Sequence, residues 1–281
     1  MSDTRYGTEA GSVRRRLDAE LARRGLARSR EQAQQLIADG RVRVNGTPAT
    51  KSATQVDQAA AIVVIDAGQG QDYVSRGAHK LIGALAAFDP DGLLVNGRHA
   101  IDAGASTGGF TDVLLRRGVA HVVAVDVGYG QLAWSLRSDE RVTVMDRTNV
   151  RSLTVEDLPY RPDLVVSDLS FISLRLVLPT LAALATADAD LLLMVKPQFE
   201  VGREALAAQG SGGVVRDPLL RQAAVLDVAR SALAAGLGTA GVAASPLPGP
   251  SGNVEYFLHL RADAPAPDPG SVEEAVRTGP S

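Results

Sequence analysis

Cysteine is absent from this 281-residue chain, which excludes disulfides, thiolate metal sites and a cysteine nucleophile, and suits a reducing compartment such as the cytoplasm. The four histidines, at positions 79, 99, 121 and 259, show no ligand spacing, so no metal is expected. Net charge is small, at −3, which excludes a histone-like chain that binds nucleic acid over its whole surface. Long apolar runs are missing as well. The most apolar window, residues 174–195, is broken by Arg175, Pro179, Asp188 and Asp190, and the first eleven residues are polar, so neither a membrane span nor a signal peptide is expected. What is present is 45% apolar and 22% charged, enough for a full core and room for two domains.

The charge is unevenly placed. Residues 13–52 carry ten basic and four acidic side chains, whereas residues 71–281 carry 18 basic and 24 acidic ones, an electropositive head on an acidic body. In the head, Leu17 and Leu21 stand one helical turn apart ahead of Gly25, and Ser29 with Gln32 makes a capping pattern before Ala33, Leu36 and Ile37. Alternation at Arg41-Val42-Arg43-Val44 runs into the turn pair Asn45-Gly46, and residues 61–65 read as a further strand. The turn-rich stretch at residues 66–71 marks a boundary. Beyond it, strand-length apolar runs (93–101, 121–125, 142–145, 164–166, 191–195) alternate with helical stretches (77–87, 111–117, 173–185, 218–235). That rhythm predicts an α/β fold with a mostly parallel sheet covered on both faces. Residues 237–246 and 253–260 read as two closing strands with no helix between them, an antiparallel edge. Residues 262–281 are rich in Pro, Gly and acid and are expected to be disordered, as are residues 1–12.

Chemistry gathers where strands end. The strand Ala100-Ile101-Asp102 runs into Gly104-Ala105-Ser106-Thr107-Gly108-Gly109 and then Phe110, a glycine-rich turn that lets the backbone approach a nucleotide. The spacing is not that of a pyrophosphate-binding loop, which disfavours a dinucleotide. The next strand ends in Asp126, where a carboxylate can accept both hydroxyls of an adenosine ribose, and the third ends in Asp146, placed for the adenine edge. Each aspartate alone reads equally well as a helix cap or turn residue; together they favour the cofactor side of a nucleoside-binding sheet. Two further strands end in Asp168 and in Lys196, the latter directly before Pro197. An isolated ammonium after an apolar strand is costly to bury, although a strand-end lysine can also snorkel to solvent. Lys80, on a helical segment, and Glu255, on the last strand, are weaker candidates individually.

Several blocks in order resemble the TlyA family of ribosomal RNA 2′-O-methyltransferases, related to the FtsJ group. They are Ser75-Arg76-Gly77-Ala78-His79-Lys80-Leu81, the turn from Asp102 to Phe110, Ser167-Asp168-Leu169-Ser170-Phe171, Val195-Lys196-Pro197-Gln198-Phe199-Glu200, Gly213-Val214-Val215-Arg216-Asp217, and Ser245-Pro246-Leu247-Pro248-Gly249-Pro250 with Gly252-Asn253-Val254-Glu255-Tyr256-Phe257. The resemblance implies a Rossmann-like methyltransferase sheet over residues 75–261, a linker at 67–74, and an S4-like RNA-binding domain of α+β type over 13–66. It implies S-adenosylmethionine as cofactor, held by Asp102, Gly104, Ala105, Ser106, Thr107, Gly108, Gly109, Phe110, Asp126 and Asp146. The family's catalytic set falls on Lys80, Asp168, Lys196 and Glu255. A ribose 2′-hydroxyl is a poor nucleophile until its proton leaves, so Lys196 is expected either as the base, when neutral, or as a cation that orients the hydroxyl. The implied partner is ribosomal RNA, a cytidine within 30S or 50S subunits or both. Arg14, Arg16, Arg24, Arg28, Arg30, Arg41 and Arg43 are the expected phosphate contacts, with Arg15, Arg23 and Lys51 beside them. The head holds no aromatic residue, which argues for reading folded RNA by backbone shape rather than by base stacking. At Gln71-Asp72-Tyr73-Val74 the chain departs from the Arg-x-Trp-Val linker of some members.

Three other readings compete. A non-catalytic RNA-binding protein is disfavoured because all four catalytic positions are filled. A pore-former lacks a membrane-seeking segment. A nicotinamide-dependent oxidoreductase would share Asp126 but not the glycine spacing.

Overall fold

A computed structural model describes residues 14–27, 29–38, 40–57, 60–64, 73–88, 93–208, 210 and 212–280. The chain divides into two units, Met1–Asp72 and Tyr73–Ser281.

In the smaller unit, β1 (Arg15–Arg16) leads into α1 (Leu17–Arg23), α2 (Arg30–Ala38), β2 (Val42–Val44), β3 (Thr47–Pro48), β4 (Gln55–Val56) and β5 (Ile62–Val64). Antiparallel pairing joins β1 to β4 and orders the other three strands β3-β2-β5. The β2–β3 hairpin turns at Asn45 (φ 50°) and Gly46 (φ 80°), the paired positive φ angles that match the twist of the flanking strands. Ser29 Oγ accepts from the Gln32 amide at 3.1 Å, the expected helix cap. Leu17, Leu21, Ala33, Leu36, Ile37, Val42 and Val56 are buried in a core of this unit's own.

The larger unit runs α3 (Gly77–Phe88), β6 (His99–Ala103), α4 (Gly109–Arg116), β7 (His121–Val125), α5 (Trp134–Arg137), β8 (Val142–Met145), β9 (Leu164–Ser167), α6 (Leu178–Leu184), β10 (Asp190–Val195), α7 (Pro197–Glu200), α8 (Arg203–Ala208), α9 (Pro218–Ala234), β11 (Gly238–Ala244), β12 (Tyr256–Arg261) and α10 (Pro269–Thr278). Seven strands form one sheet in the order β11-β12-β10-β9-β6-β7-β8. Pairing is parallel from β10 to β8, and β12 runs antiparallel to both β10 and β11. The last strand is therefore antiparallel as expected, but it lies inside β11 rather than at the edge. Every residue of β9 and β10 is buried, because two apolar layers cover the sheet. One layer centres on Leu178, Leu181, Val225, Val228 and Leu258, the other on Leu81, Leu85, Val113, Leu114 and Phe257.

Three sequence expectations change. The strand expected over 93–101 begins only at His99, because Gly97 (φ 76°) turns the chain; Leu93 and Val95 are still buried. The helix expected over 173–185 splits into a 3₁₀ turn at Leu174–Leu176 and α6, since Pro179 fits only a first helical turn. The tail expected to be disordered contains α10. Asp268 caps it by accepting from the amides of Gly270 and Ser271, and Val272 and Ala275 are buried. Composition pointed to disorder, while this cap and the apolar spacing of Val272, Ala275 and Val276 outweighed it. Residues 1–12, Arg28 and most of the linker expected at 67–74 lie outside the described residues.

Candidate active site

Strand order reverses between β6 and β9, and in such sheets ligands sit at the carboxyl ends of the strands beside that reversal. Each parallel strand delivers its chain to this end: β6 to Gly104, β7 to Asp126, β8 to Asp146, β9 to Asp168 and β10 to Lys196. Because β12 is antiparallel, its start reaches the same end, and Val195 pairs with Tyr256, so Glu255 arrives next to Lys196. One topology thus gathers residues spread over more than 150 positions.

The four expected catalytic residues meet as two ion pairs. Lys196 Nζ lies 2.6 Å from Asp168 Oδ1 and donates to Ser170 Oγ at 2.8 Å. Lys80 Nζ, in the first turns of α3, donates to Glu255 Oε2 at 2.5 Å, with Met194 Sδ at 3.9 Å. Lys80 does not face solvent, the ordinary expectation for a helix lysine; it is 5% exposed and Glu255 only 1%. Burying a charge is tolerated when it is paired, and removing one member of such a pair leaves the other uncompensated. The Glu255 segment is closely packed: the Ser245 amide donates to Glu255 O, and a Cβ on Gly249 would stand 2.6 Å from Glu255 Oε1.

Beside Asp168 lies the glycine turn. Gly104 (φ 92°) passes so close to β9 that a Cβ would stand 2.8 Å from the Asp168 carbonyl oxygen, and one on Gly109 would stand 2.4 Å from Ser75 Oγ. Asp126 pins the turn, accepting from the Ser106 amide at 2.8 Å and from the Gly128 amide at 2.7 Å. Asp146 accepts from Arg137 at 2.7 Å and from the Gly130 amide at 3.2 Å, and the Arg137 hydrogen bond lowers its pKa. Asp102 is fully buried, and Thr111 donates to its Oδ2 at 2.7 Å. Its Oδ1 has no hydrogen-bond partner among the described residues. Burial, with the charges of Asp168 and Asp126 adding, pushes its pKa up to about 7. An orphaned buried acceptor, a turn held open by glycine and a strand-end carboxylate fit a cationic nucleoside such as S-adenosylmethionine.

The sequence reading missed the bridge between the loops after β9 and β10. Phe171, 91% exposed and at φ 64°, packs against Phe199 with ring centroids 5.4 Å apart. Glu200, on α7, accepts from Ser173 Oγ at 2.6 Å, the Leu174 amide at 2.7 Å and Arg175 Nε at 3.3 Å. Ser170, Phe171, Phe199 and Glu200 all lie in segments 167–171 and 195–200, which resemble the family, but nothing in their spacing marks them as partners. Backbone strain gives the same address. Ser106, Arg147 and Phe171 are three of the four described non-glycine residues with positive φ, and all three follow strands of this sheet.

The family model for FtsJ-like methyltransferases matches residues 73–262, and that for S4 domains matches residues 15–62. The 16S/23S rRNA (cytidine-2′-O)-methyltransferase TlyA of Mycobacterium tuberculosis is 61% identical over 88% of this chain and 90% of its own. The chain belongs to the FtsJ-like methyltransferase family, in its TlyA group. Hemolysin A of Brachyspira hyodysenteriae is 35% identical over 87% of this chain and 99% of its own. A solved Streptococcus thermophilus protein described as a hemolysin is 38% identical, covers 94% of each chain and has a TM-score of 0.73. Among the described residues no helix of this FtsJ-like chain is long and apolar enough to cross a membrane.

In the S4 unit the expected phosphate contacts divide. Arg16 and Arg30 converge on Asp18, while Arg23 and Arg24 converge on Glu20. Arg24 also donates to the Ala60 carbonyl, which makes it part of the unit's scaffold. Arg43 donates to the Gly46 carbonyl at 3.0 Å, and Arg14 and Arg41 complete the described set.

Proposed function

We propose that this chain transfers a methyl group from S-adenosylmethionine to the ribose 2′-oxygen of a cytidine in 16S or 23S ribosomal RNA, or both, with the S4 unit anchoring the RNA. The observation that carries the reading is the gathering at one end of the sheet of two lysine–carboxylate pairs, with Asp168, Lys196 and Glu255 at adjacent strand ends and Lys80 on α3, beside a glycine turn that fits the cofactor. When bound, S-adenosylmethionine supplies an electrophilic methyl group on sulfonium sulfur. Asp126 would hold its ribose, Asp146 the adenine side, and Asp102 with the glycine turn its amino-acid end. The balance is simple: the O2′–methyl carbon bond forms, the sulfur–carbon bond breaks, and the hydroxyl proton leaves.

Lys196 is the group at the reacting oxygen. Ser170 takes one of its three ammonium donors and Asp168 stands 2.6 Å away as its counter-ion, which leaves a donor for the hydroxyl. With its proton lost to solvent, the neutral amine takes the hydroxyl proton; charged, it orients the hydroxyl and stabilises the developing oxyanion. Lys80 and Glu255 form the neighbouring wall, and Phe171 offers an exposed flat face to the target base. Lys196→Ala should reduce transfer below detection while calorimetric binding of S-adenosylmethionine survives, because Asp168 still reaches water after the change. Retained turnover would remove Lys196 from the reaction. A single-turnover rate that rises with pH through one ionisation identifies the base; a flat profile identifies the orienting cation.

A further inference from the structure

The S4 unit carries an arrangement that charge alone does not explain. Asp18 is fully buried beneath two largely exposed arginines from different elements, Arg16 of β1 at 43% and Arg30 of α2 at 59% side-chain exposure. Its Oδ1 accepts from Arg16 Nε at 3.1 Å and its Oδ2 from Arg16 Nη2 at 2.9 Å, a bidentate fork. Arg30 Nη2 reaches Oδ2 at 3.4 Å, Gln34 Nε2 reaches it at 3.0 Å, and the Ala19 amide donates to Oδ1 at 2.8 Å. The Arg16 hydrogen bond holds this carboxyl well below the usual carboxylate range, against the opposing effect of burial.

A surface that needed only positive charge would do better without this group, since a buried anion costs desolvation and cancels part of the attraction for phosphate. We propose that Asp18 is a positioning residue for RNA: it locks Arg16 and Arg30 into one preorganised pair that grips backbone phosphate. The inference rests on the reading of the S4 unit as the RNA anchor. A guanidinium has five donors, and the fork uses two from Arg16, so its plane is fixed while further donors remain for phosphate oxygens. Two arginines held side by side by a shared anion lose less side-chain freedom on binding than two that would otherwise repel each other.

The test is binding of the full chain to purified 30S and 50S subunits across a salt series. Asp18→Asn adds one positive unit to the RNA-facing head, so simple electrostatics expects tighter binding. The proposal expects binding weakened by roughly tenfold, the scale of one lost charge-assisted contact. Unchanged or tighter binding would overturn it. Arg16→Lys keeps the charge but not the fork, and lies on the surface, where it does not threaten folding. It should lose nearly as much affinity as Arg16→Ala; wild-type affinity would overturn the proposal even if Asp18→Asn failed to fold. In the Asp18→Asn background, Arg16→Ala should cost less than in the wild type, a coupling that a purely structural role for Asp18 would not produce. Unaltered affinity in the double variant Arg16→Ala/Arg30→Ala is a different failure, because it would remove the RNA-anchor reading itself.

Discussion

Asp102 shows how one buried side chain can tie folding stability to pH. Its folded-state pKa, about 7, stands above the ordinary value of 3.8, first because of burial and then because Asp168 and Asp126 are charged nearby. A carboxyl raised in this way contributes stability fully below its unfolded pKa and loses it as pH rises toward its folded pKa. The wild type should therefore lose stability relative to Asp102→Asn between about pH 4 and pH 7, by a few kcal/mol at most. Urea midpoints of the two proteins at pH 4.5 and 7.5 check this, and parallel pH dependences would contradict it. The aspartate itself was visible in the sequence as the last residue of an apolar strand. Its orphaned Oδ1 was not, because it arises from a layer of helices that pattern alone does not pack.

At the scale of elements, the loops after β9 and β10 act together. Lys196 bonds Ser170, Phe199 packs on Phe171, and Glu200 gathers Ser173, Leu174 and Arg175. Glu200→Ala should cost about 1–3 kcal/mol, since it strips the acceptor from a buried amide. It should also raise KM for ribosomal substrate while leaving cofactor affinity unchanged, with Glu200→Gln closer to wild type; an unaltered KM in Glu200→Ala would show that the bridge does not serve the acceptor. Most strands and helices were legible because their periodicities are strong. Catalytic roles for Lys80 and Glu255 rested on resemblance, since only the antiparallel insertion of β12 brings them together. What periodicity misses are contacts between loops, where partners follow from strand order, and α10, whose cap at Asp268 lies in a segment that composition marks as loose.

For the whole molecule, the two units have separate cores, one around Leu17, Leu21 and Ile37, the others on the two faces of the large sheet. A chain lacking residues 1–72 should keep its affinity for S-adenosylmethionine, lose most of its affinity for ribosomal subunits, and show a shallower salt dependence of what binding remains. Full subunit affinity after that deletion would place the anchor on the larger unit. The sequence showed the division as an excess of arginine in residues 13–52 and a turn-rich stretch beyond. It did not show that Asp18 and Glu20 organise four of those arginines, because that depends on burial of the two carboxylates.

The central claim is chemical and has a direct test: transfer of labelled methyl from S-adenosylmethionine to purified 30S and 50S subunits, with Lys196→Ala alongside and the modified nucleotide mapped. The account predicts label on the 2′-oxygen of a cytidine, seen as an alkali-resistant linkage, and its disappearance in the variant. Label on a base, or equal label with Lys196→Ala, would contradict it.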